Sequence, residues 1–344
     1  MGQVSLGVGP DGKRRRKAVY AATKTEARKR MREVRLAHES GEQVATDGRT
    51  TLAAWIERYT STSLESSVAA GRIKRSTAEW HTAMLKRAEP LARKRLEALR
   101  PSDIEAWVLG LEGAASTVRG AFTALSRCLD VAVRDGLLSR NPCASVDRPS
   151  GGSAEAVFLD MAQVRALIDA CDPWMRAAVL VMATTGIRRG ELLALRWADI
   201  DLAAGTLRVT GTVVRTKTDG LVRTAPKSAA GIRTVPLPPV AVKALRRGLP
   251  HAPVFPSEAG GWVEPRNFSR RFAKVAAAAG LPHATPHALR HSAATAMIAA
   301  GVPVPVVSDM LGHGDIRVTV GTYTHVIDQQ RRAASDALAA ALGG

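Results

Sequence analysis

Thr285-Pro286-His287-Ala288-Leu289-Arg290-His291 starts a helix and loads its first turns with groups that hold anions. A threonine ahead of a proline supplies an N-cap hydroxyl, and proline at the first helical position gives up no needed backbone donor. His287 and Arg290 are i, i+3 and share a face. His287 and His291 are i, i+4, a spacing that also serves zinc. However, Ala288 stands where the HExxH motif carries glutamate, and no third ligand is evident. Imidazole and guanidinium on one face suit a phosphate better.

Around this helix the C-terminal half is mixed. Asp160 is placed to cap one helix, and 173–185 reads as a buried helix ended by Gly186. A helix over 189–196 follows. Residues 206–236 turn β-like, with Thr206-Leu207-Arg208-Val209, Val213-Val214 and Ile232-Arg233-Thr234-Val235. Helices return at 239–247, 265–279, 286–300 and 303–311. At the end, Ala333, Ala337 and Ala341 form one i+4 row and Ala334, Leu338 and Leu342 the next, a narrow stripe that can dock on a neighbour.

The N-terminal half is helical after a short β-like opening. Residues 5–22 alternate weakly about Pro10-Asp11-Gly12, a turn signal, and Thr25 to Ala37 reads as a short basic helix. Residues 38–49 have linker composition. Leu52, Trp55, Ile56 and Tyr59 mark one helix face. Ser76-Thr77-Ala78-Glu79 and Ser102-Asp103-Ile104-Glu105 match the capping box, so helices are expected to begin near 77 and 103. Another helix spans 115–135, and Arg148-Pro149-Ser150-Gly151-Gly152-Ser153 marks a second linker.

Charge points to the partner. The chain has 344 residues and a formal charge of +18. Residues 1–48 carry 11 basic and 6 acidic side chains, 49–150 carry 16 and 11, and 151–344 carry 22 and 14. The excess is spread along the chain, as expected of a protein that touches a polyanion over its length. No run of about 18 apolar residues suggests a membrane span. No apolar stretch precedes a cleavage site near the N-terminus. Three cysteines (Cys128, Cys143, Cys171), odd in number and without metal-ligand spacing, fit a reducing cytosol. A cytoplasmic location is therefore expected.

Three further boxes accompany the opening one. Thr185-Gly186-Ile187-Arg188-Arg189-Gly190-Glu191-Leu192 places Arg188 and Glu191 one turn apart on a face; alone, it reads as a surface ion pair. Leu311-Gly312-His313 is followed by Tyr323, one of three tyrosines, set among small and polar residues. Alone, it reads as a core tyrosine. Pro226-Lys227-Ser228 precedes Gly231-Ile232-Arg233-Thr234-Val235-Pro236-Leu237 and puts Lys227 on a hairpin loop, where a solvated lysine is the ordinary reading.

Together the boxes resemble the tyrosine recombinase (phage integrase) family. The order Arg, Lys, His-x-x-Arg, Leu-Gly-His, Tyr runs over some 140 residues, and the match is clearest over 155–327. Leu99 to Trp107 is similar to the family's core-type DNA-binding domain, and Lys24-Thr25-Glu26-Ala27 to its arm-binding module. The resemblance implies a multidomain, mainly α fold with small β-sheets. Residues 1–48 would be an arm-DNA-binding module of hairpin plus helix, 49–148 a helical core-binding domain, and 149–154 a linker. Residues 155–344 would be an α+β catalytic domain with a C-terminal docking helix.

The resemblance also implies roles. Tyr323 is the nucleophile, forming a 3′-phosphotyrosyl bond to DNA. Arg188 and Arg290 stabilise the phosphate, a task suited to bidentate, permanently charged guanidinium. His287 accepts the phenol proton, Lys227 protonates the leaving 5′ oxygen, and His313 hydrogen-bonds the phosphate. Glu191 orients the pocket. His291 itself reads as a residue that packs or supports the box and not as a catalytic one. The bond energy is conserved in the phosphotyrosine, so neither ATP nor metal nor other cofactor is expected. The implied partners are duplex DNA at core and arm sites and a homotetramer joined by the C-terminal segment. A host DNA-bending factor and an excisionase are further partners that the resemblance implies. Integration and excision of a phage or mobile element is the first reading. The alternatives are an Xer-like chromosome-dimer resolvase, which usually lacks the arm module, a type IB topoisomerase, and a catalytically silent DNA-binding regulator.

Overall fold

The computed structural model describes residues 2–8, 14–19, 23, 25–28, 31–32, 50–150, 158–226, 229–245, 247–323 and 335–342. The chain divides into two compact units, Met1–Ser153 and Ala154–Gly344.

In the first unit, β1 (Gly2–Val8) and β2 (Arg14–Val19) pair antiparallel. Then come α1 (Leu52–Arg58), α2 (Glu65–Ala69), α3 (Arg75–Leu85), α4 (Pro101–Leu109) and α5 (Ala115–Arg134). Leu52, Trp55 and Tyr59 are buried as their spacing predicts, and the Trp55 indole donates to the Cys128 carbonyl at 3.0 Å, tying α1 to α5. After α1 the helix widens into a π-helical turn, Tyr59–Leu64. There the hydroxyls of Thr60, Ser61 and Thr62 donate back to the carbonyls of Ile56, Glu57 and Arg58, competing with the ordinary helical ladder. Two expected helix starts move upstream. Helix α3 begins at Arg75, and Pro101 takes the first position of α4, while the Asp103 carboxylate accepts from the Arg100 N–H at 3.0 Å. Proline's preset φ and the carboxylate three residues on decide that start, in place of Ser102 as cap.

In the second unit, α6 (Met161–Asp169) is capped by Asp160 as expected, and α7 (Pro173–Thr185) is the buried central helix. Helix α8 (Arg189–Leu192) is one turn long and stops short of the expected 196. Strands β3 (Ile200–Asp201), β4 (Thr206–Val209) and β7 (Arg233–Pro236) form an antiparallel sheet in the order β3-β4-β7. Strands β5 (Thr212–Thr216) and β6 (Gly220–Thr224) form a separate hairpin. Helices α9 (Pro239–Ala244), α10 (Pro265–Ala278), α11 (Pro286–Ala299), α12 (Val304–Leu311) and α13 (Ile316–Thr322) complete the unit. Helix α11 packs on α7, and its start is as read: the Thr285 hydroxyl accepts from the Ala288 N–H at 3.1 Å, with Pro286 at the first position. Residues 335–341 are helical, with Leu338 66% and Leu342 87% exposed. The fold is mainly α with small β-sheets, as the sequence predicts. Among the described residues no helix is long and apolar enough to cross a membrane.

Candidate active site

The last turn of α12 organises the site. A helix leaves its final carbonyls without intrahelical partners, at the negative end of its dipole. Here three consecutive carbonyls receive three arginines. Met310 accepts from Arg233 Nε at 2.7 Å, and Leu311 from Arg290 Nη2 at 2.9 Å and from Arg188 Nη1 at 3.5 Å. Gly312 accepts from Arg188 Nη2 at 3.3 Å. Two glycines make this approach possible. Gly186 ends α7 and Gly312 ends α12, both at φ 65° in the left-handed region. A Cβ on Gly186 would lie 2.7 Å from Leu311 Cδ2, and one on Gly312 would lie 2.7 Å from Arg233 Nη1. The Gly186 carbonyl also accepts from Arg290 Nη1 at 2.7 Å.

Arg188 and Glu191 are not the simple surface pair their spacing suggests. The Glu191 carboxylate is buried and accepts from the Arg188 backbone N–H (2.9 Å), Arg188 Nη1 (2.8 Å) and Arg233 Nη2 (2.9 Å). Burial alone would raise its pKa; the bond and charge of Arg233, then Arg188, outweigh that and hold it below the usual carboxylate range. The Arg188 side chain stays 43% exposed, so part of its guanidinium faces outward.

Spacing along the sequence assigns no role to Arg233. Its side chain is 3% exposed and also donates to the Gly231 carbonyl at 3.2 Å. It thus joins Glu191, the turn before β7 and the end of α12. The signal was present in the strand alternation: Arg233 and Val235 are the buried positions of β7, and Thr234 and Pro236 the exposed ones. A charge at an inward position of a strand needs a buried partner.

Arg290 is buried, and desolvation, then the neighbouring Arg188, lowers its pKa to about 9, which leaves it a cation at pH 7. Its Nη2 lies 2.7 Å from His313 Nε2. Guanidinium can only donate, so Nε2 accepts, and His313 Nδ1–H donates to Thr319 Oγ1 at 2.7 Å. Burial and the Arg290, Arg188 and Arg233 charges push the His313 pKa down to about 4, which keeps it neutral.

Tyr323 ends α13 with its ring in an apolar cluster of Ala294, Ile298, Val307 and Leu311. The phenol is 2% exposed, and burial raises its pKa to about 12. Its oxygen lies 2.8 Å from His291 Nδ1. The resemblance implies His287 as acceptor of the phenol proton, and the sequence alone gives His291 a packing role; the structure joins the phenol to His291. His287 stands edge-on to His291 at 4.5 Å between ring centroids and is exposed. Partial desolvation of the ring, then the charges of Arg290 and Arg188, lowers its pKa.

The structure therefore brings Arg188, Glu191, His287, Arg290, His313 and Tyr323 into one neighbourhood of the second unit, with Arg233 and His291 added. Lys227 lies outside the described residues. Three guanidiniums face one carboxylate, and the histidines are disfavoured as cations. The result is a partly open cationic pocket next to a buried phenol, arranged to hold an anion with at least one unpaired negative charge. Among the described residues no group of three or more His, Cys, Asp or Glu is placed to hold a metal ion.

Known proteins resemble this chain in sequence and in fold. A tyrosine recombinase XerC-like protein of Caldanaerobacter subterraneus subsp. tengcongensis is 30% identical over 256 residues, covering 64% of this chain and 65% of that protein. A prophage phiRv2 integrase of Mycobacterium tuberculosis is 31% identical over 233 residues, covering 63% and 61%. The chain thus matches just under two thirds of the length of each. The Tn1549 transposon integrase, solved with a circular intermediate DNA, shares the fold with a TM-score of 0.69 at 20% identity, covering 82% of this chain and 99% of that one. The model of the phage integrase family matches residues 157–330, which contain every residue of the pocket. With more than half its length matched and the spaced Arg, His-x-x-Arg, Leu-Gly-His and Tyr gathered at one helix end, the chain belongs to the phage integrase family.

Proposed function

We propose that the protein is a site-specific DNA recombinase that cuts and rejoins duplex DNA through a 3′-phosphotyrosyl intermediate, integrating and excising a mobile element. The observation that carries this is the convergence of Arg188 and Arg290 on the end of α12, beside the buried Tyr323. A phosphodiester attacked by Tyr323 gains charge on its non-bridging oxygens. Arg188 and Arg290 are already oriented by backbone carbonyls to receive it, so little reorganisation is needed at the moment of reaction. Glu191 fixes Arg188, and His287 and His313 complete the rim of the pocket. Lys227 is assigned the general acid that protonates the leaving 5′ oxygen.

DNA is the proposed partner, in keeping with the +18 charge and with the DNA-bound state of the Tn1549 integrase. Residues 1–48 are assigned to arm sites and 49–148 to the core site. The exposed Leu338 and Leu342 support docking of the C-terminal helix on a second copy in a tetramer, and the cytoplasm is the proposed compartment. A host bending factor and an excisionase belong to the same proposal. The XerC-like relative favours a second reading, a chromosome-dimer resolvase. Binding of residues 1–48 to separate arm sites decides between the two.

The test is covalent trapping. Nicked suicide duplexes with a randomised core are incubated with the protein in EDTA, and denaturation-resistant adducts are selected and sequenced. A defined set of sites, lost with Tyr323→Phe, is expected; an adduct that persists in that variant contradicts the assignment. On the recovered site, Lys227→Ala is expected to slow cleavage by at least ~10²-fold. Much of that loss is expected to disappear when the bridging 5′ oxygen is replaced by sulfur, a better leaving group. An equal loss on both substrates would remove Lys227 from the acid role.

A further inference from the structure

Tyr323 presents a problem that its neighbours solve. A phenol in an apolar cluster needs a partner for its O–H, and an unmade bond there costs about 1–3 kcal/mol. The hydrogen bond to His291 Nδ1, at 2.8 Å, meets that need. Two arrangements of the proton are conceivable. If Nδ1 carried a hydrogen it would donate to the phenol oxygen and leave the buried O–H without this acceptor. If Nδ1 carries a lone pair, the phenol donates to it and its buried O–H is satisfied. The second arrangement requires a neutral imidazole with its proton on Nε2. Burial first, then His287 and Arg290, push the His291 pKa down to about 4, so the ring is neutral. The lone pair of Nδ1 therefore points at the proton that Tyr323 has to lose. No hydrogen bond joins His287 to Tyr323 among the described residues.

We infer that His291 is a catalytic residue of strand cleavage, holding the Tyr323 phenol and accepting its proton as the oxygen attacks phosphorus. This rests on the reading of Tyr323 as the nucleophile. In the forward step the Tyr323 O–H bond breaks and its proton passes to His291 Nδ1. The phenol oxygen forms a bond to phosphorus, and the bond from phosphorus to the 5′ oxygen breaks. The leaving oxygen takes its electron pair and a proton from the general acid. In rejoining, the same sequence runs backward and His291 returns the proton to the phenol. His287 stands edge-on beside His291, with ring centroids 4.5 Å apart, and is exposed.

The arrangement also explains how a weak base serves. Arg290 and His287 disfavour a cation on His291 while the pocket is empty. A phosphodiester bound by Arg188 and Arg290 brings a negative charge that offsets this repulsion. His291 thus becomes a better proton acceptor when DNA is in place, and the phenol stays protonated and buried until then.

The experiment uses the full chain in single-turnover cleavage of the suicide duplex recovered by adduct selection. His291→Asn puts an amide oxygen near the place of Nδ1, so it still holds the phenol but cannot take a proton. It is expected to bind the duplex with parental affinity and to cleave at least ~10²-fold more slowly. His291→Ala is expected to regain rate in proportion to added imidazole free base. Cleavage by His291→Asn within about threefold of the parent, or rescue by imidazole of His287→Ala but not of His291→Ala, overturns the inference. Adduct formation by Tyr323→Phe instead removes the nucleophile reading itself, whatever the histidine variants do.

Discussion

Replacing Arg290 with lysine is expected to slow strand cleavage by ~10²–10³-fold, the loss typical of removing a preorganised donor from a developing oxyanion. DNA affinity is expected to stay close to that of the parent. The charge is retained, so the expectation rests on geometry. Arg290 already gives one η nitrogen to Gly186 and the other to Leu311 and His313. Those bonds fix the plane of the guanidinium before DNA arrives. Lysine has a single ammonium on a flexible stem and cannot hold two carbonyls while presenting a rigid fork to a phosphate. The same substitution frees His313 Nε2, so the ring loses the bond that sets its tautomer. Single-turnover cleavage and equilibrium binding on one duplex check the prediction. A fall in affinity that matches the fall in rate would make Arg290 a phosphate anchor only.

Arg233→Met carries the second large effect, on stability. The variant keeps much of the volume but leaves Glu191 buried with Arg188 as its remaining guanidinium partner. Removing one member of a buried ion pair costs about 3–5 kcal/mol, because the other charge is left uncompensated. The pH dependence follows from the sign of the shift. The Glu191 pKa is depressed in the folded protein, so its contribution to stability is present above the ordinary carboxylate pKa. That contribution is lost as pH falls through the depressed folded value. In Arg233→Met the burial that opposes ionisation has less against it, so protonating Glu191 relieves the strain. The gap between variant and parent is therefore expected to narrow as pH falls from 7.5 toward 5, which urea unfolding at the two values measures. A gap that is constant with pH would mean that the loss comes from packing alone.

These two residues show what the sequence could and could not convey. Arg290 was legible because its box is local. Thr285 and Pro286 set the helix start, and His287 and Arg290 fall on one face by helical spacing alone. Arg233 sits in a strand that alternates normally, and its meaning depends on Glu191, 42 positions earlier in the chain. The bond from Tyr323 to His291 spans 32 positions and joins two helices, so spacing along either one is silent about it. Of the helix starts that differ, Pro101 and the Asp103 carboxylate set one, while the start at Arg75 has no side-chain cap at all. The boundary at Gly186 held because a left-handed turn there excludes most other residues. Local chemistry was readable; pairings made by packing were not.

If Tyr323 becomes joined to the 3′ phosphate of a cut strand, the bond can be located in the trapped adduct. The trapped adduct is digested with protease and nuclease, and the cross-linked peptide is sequenced by mass spectrometry. A nucleotide attached through its 3′ phosphate to the peptide containing Tyr323, formed in EDTA, is the expected result. Attachment at any other residue, or through a 5′ phosphate, would contradict it.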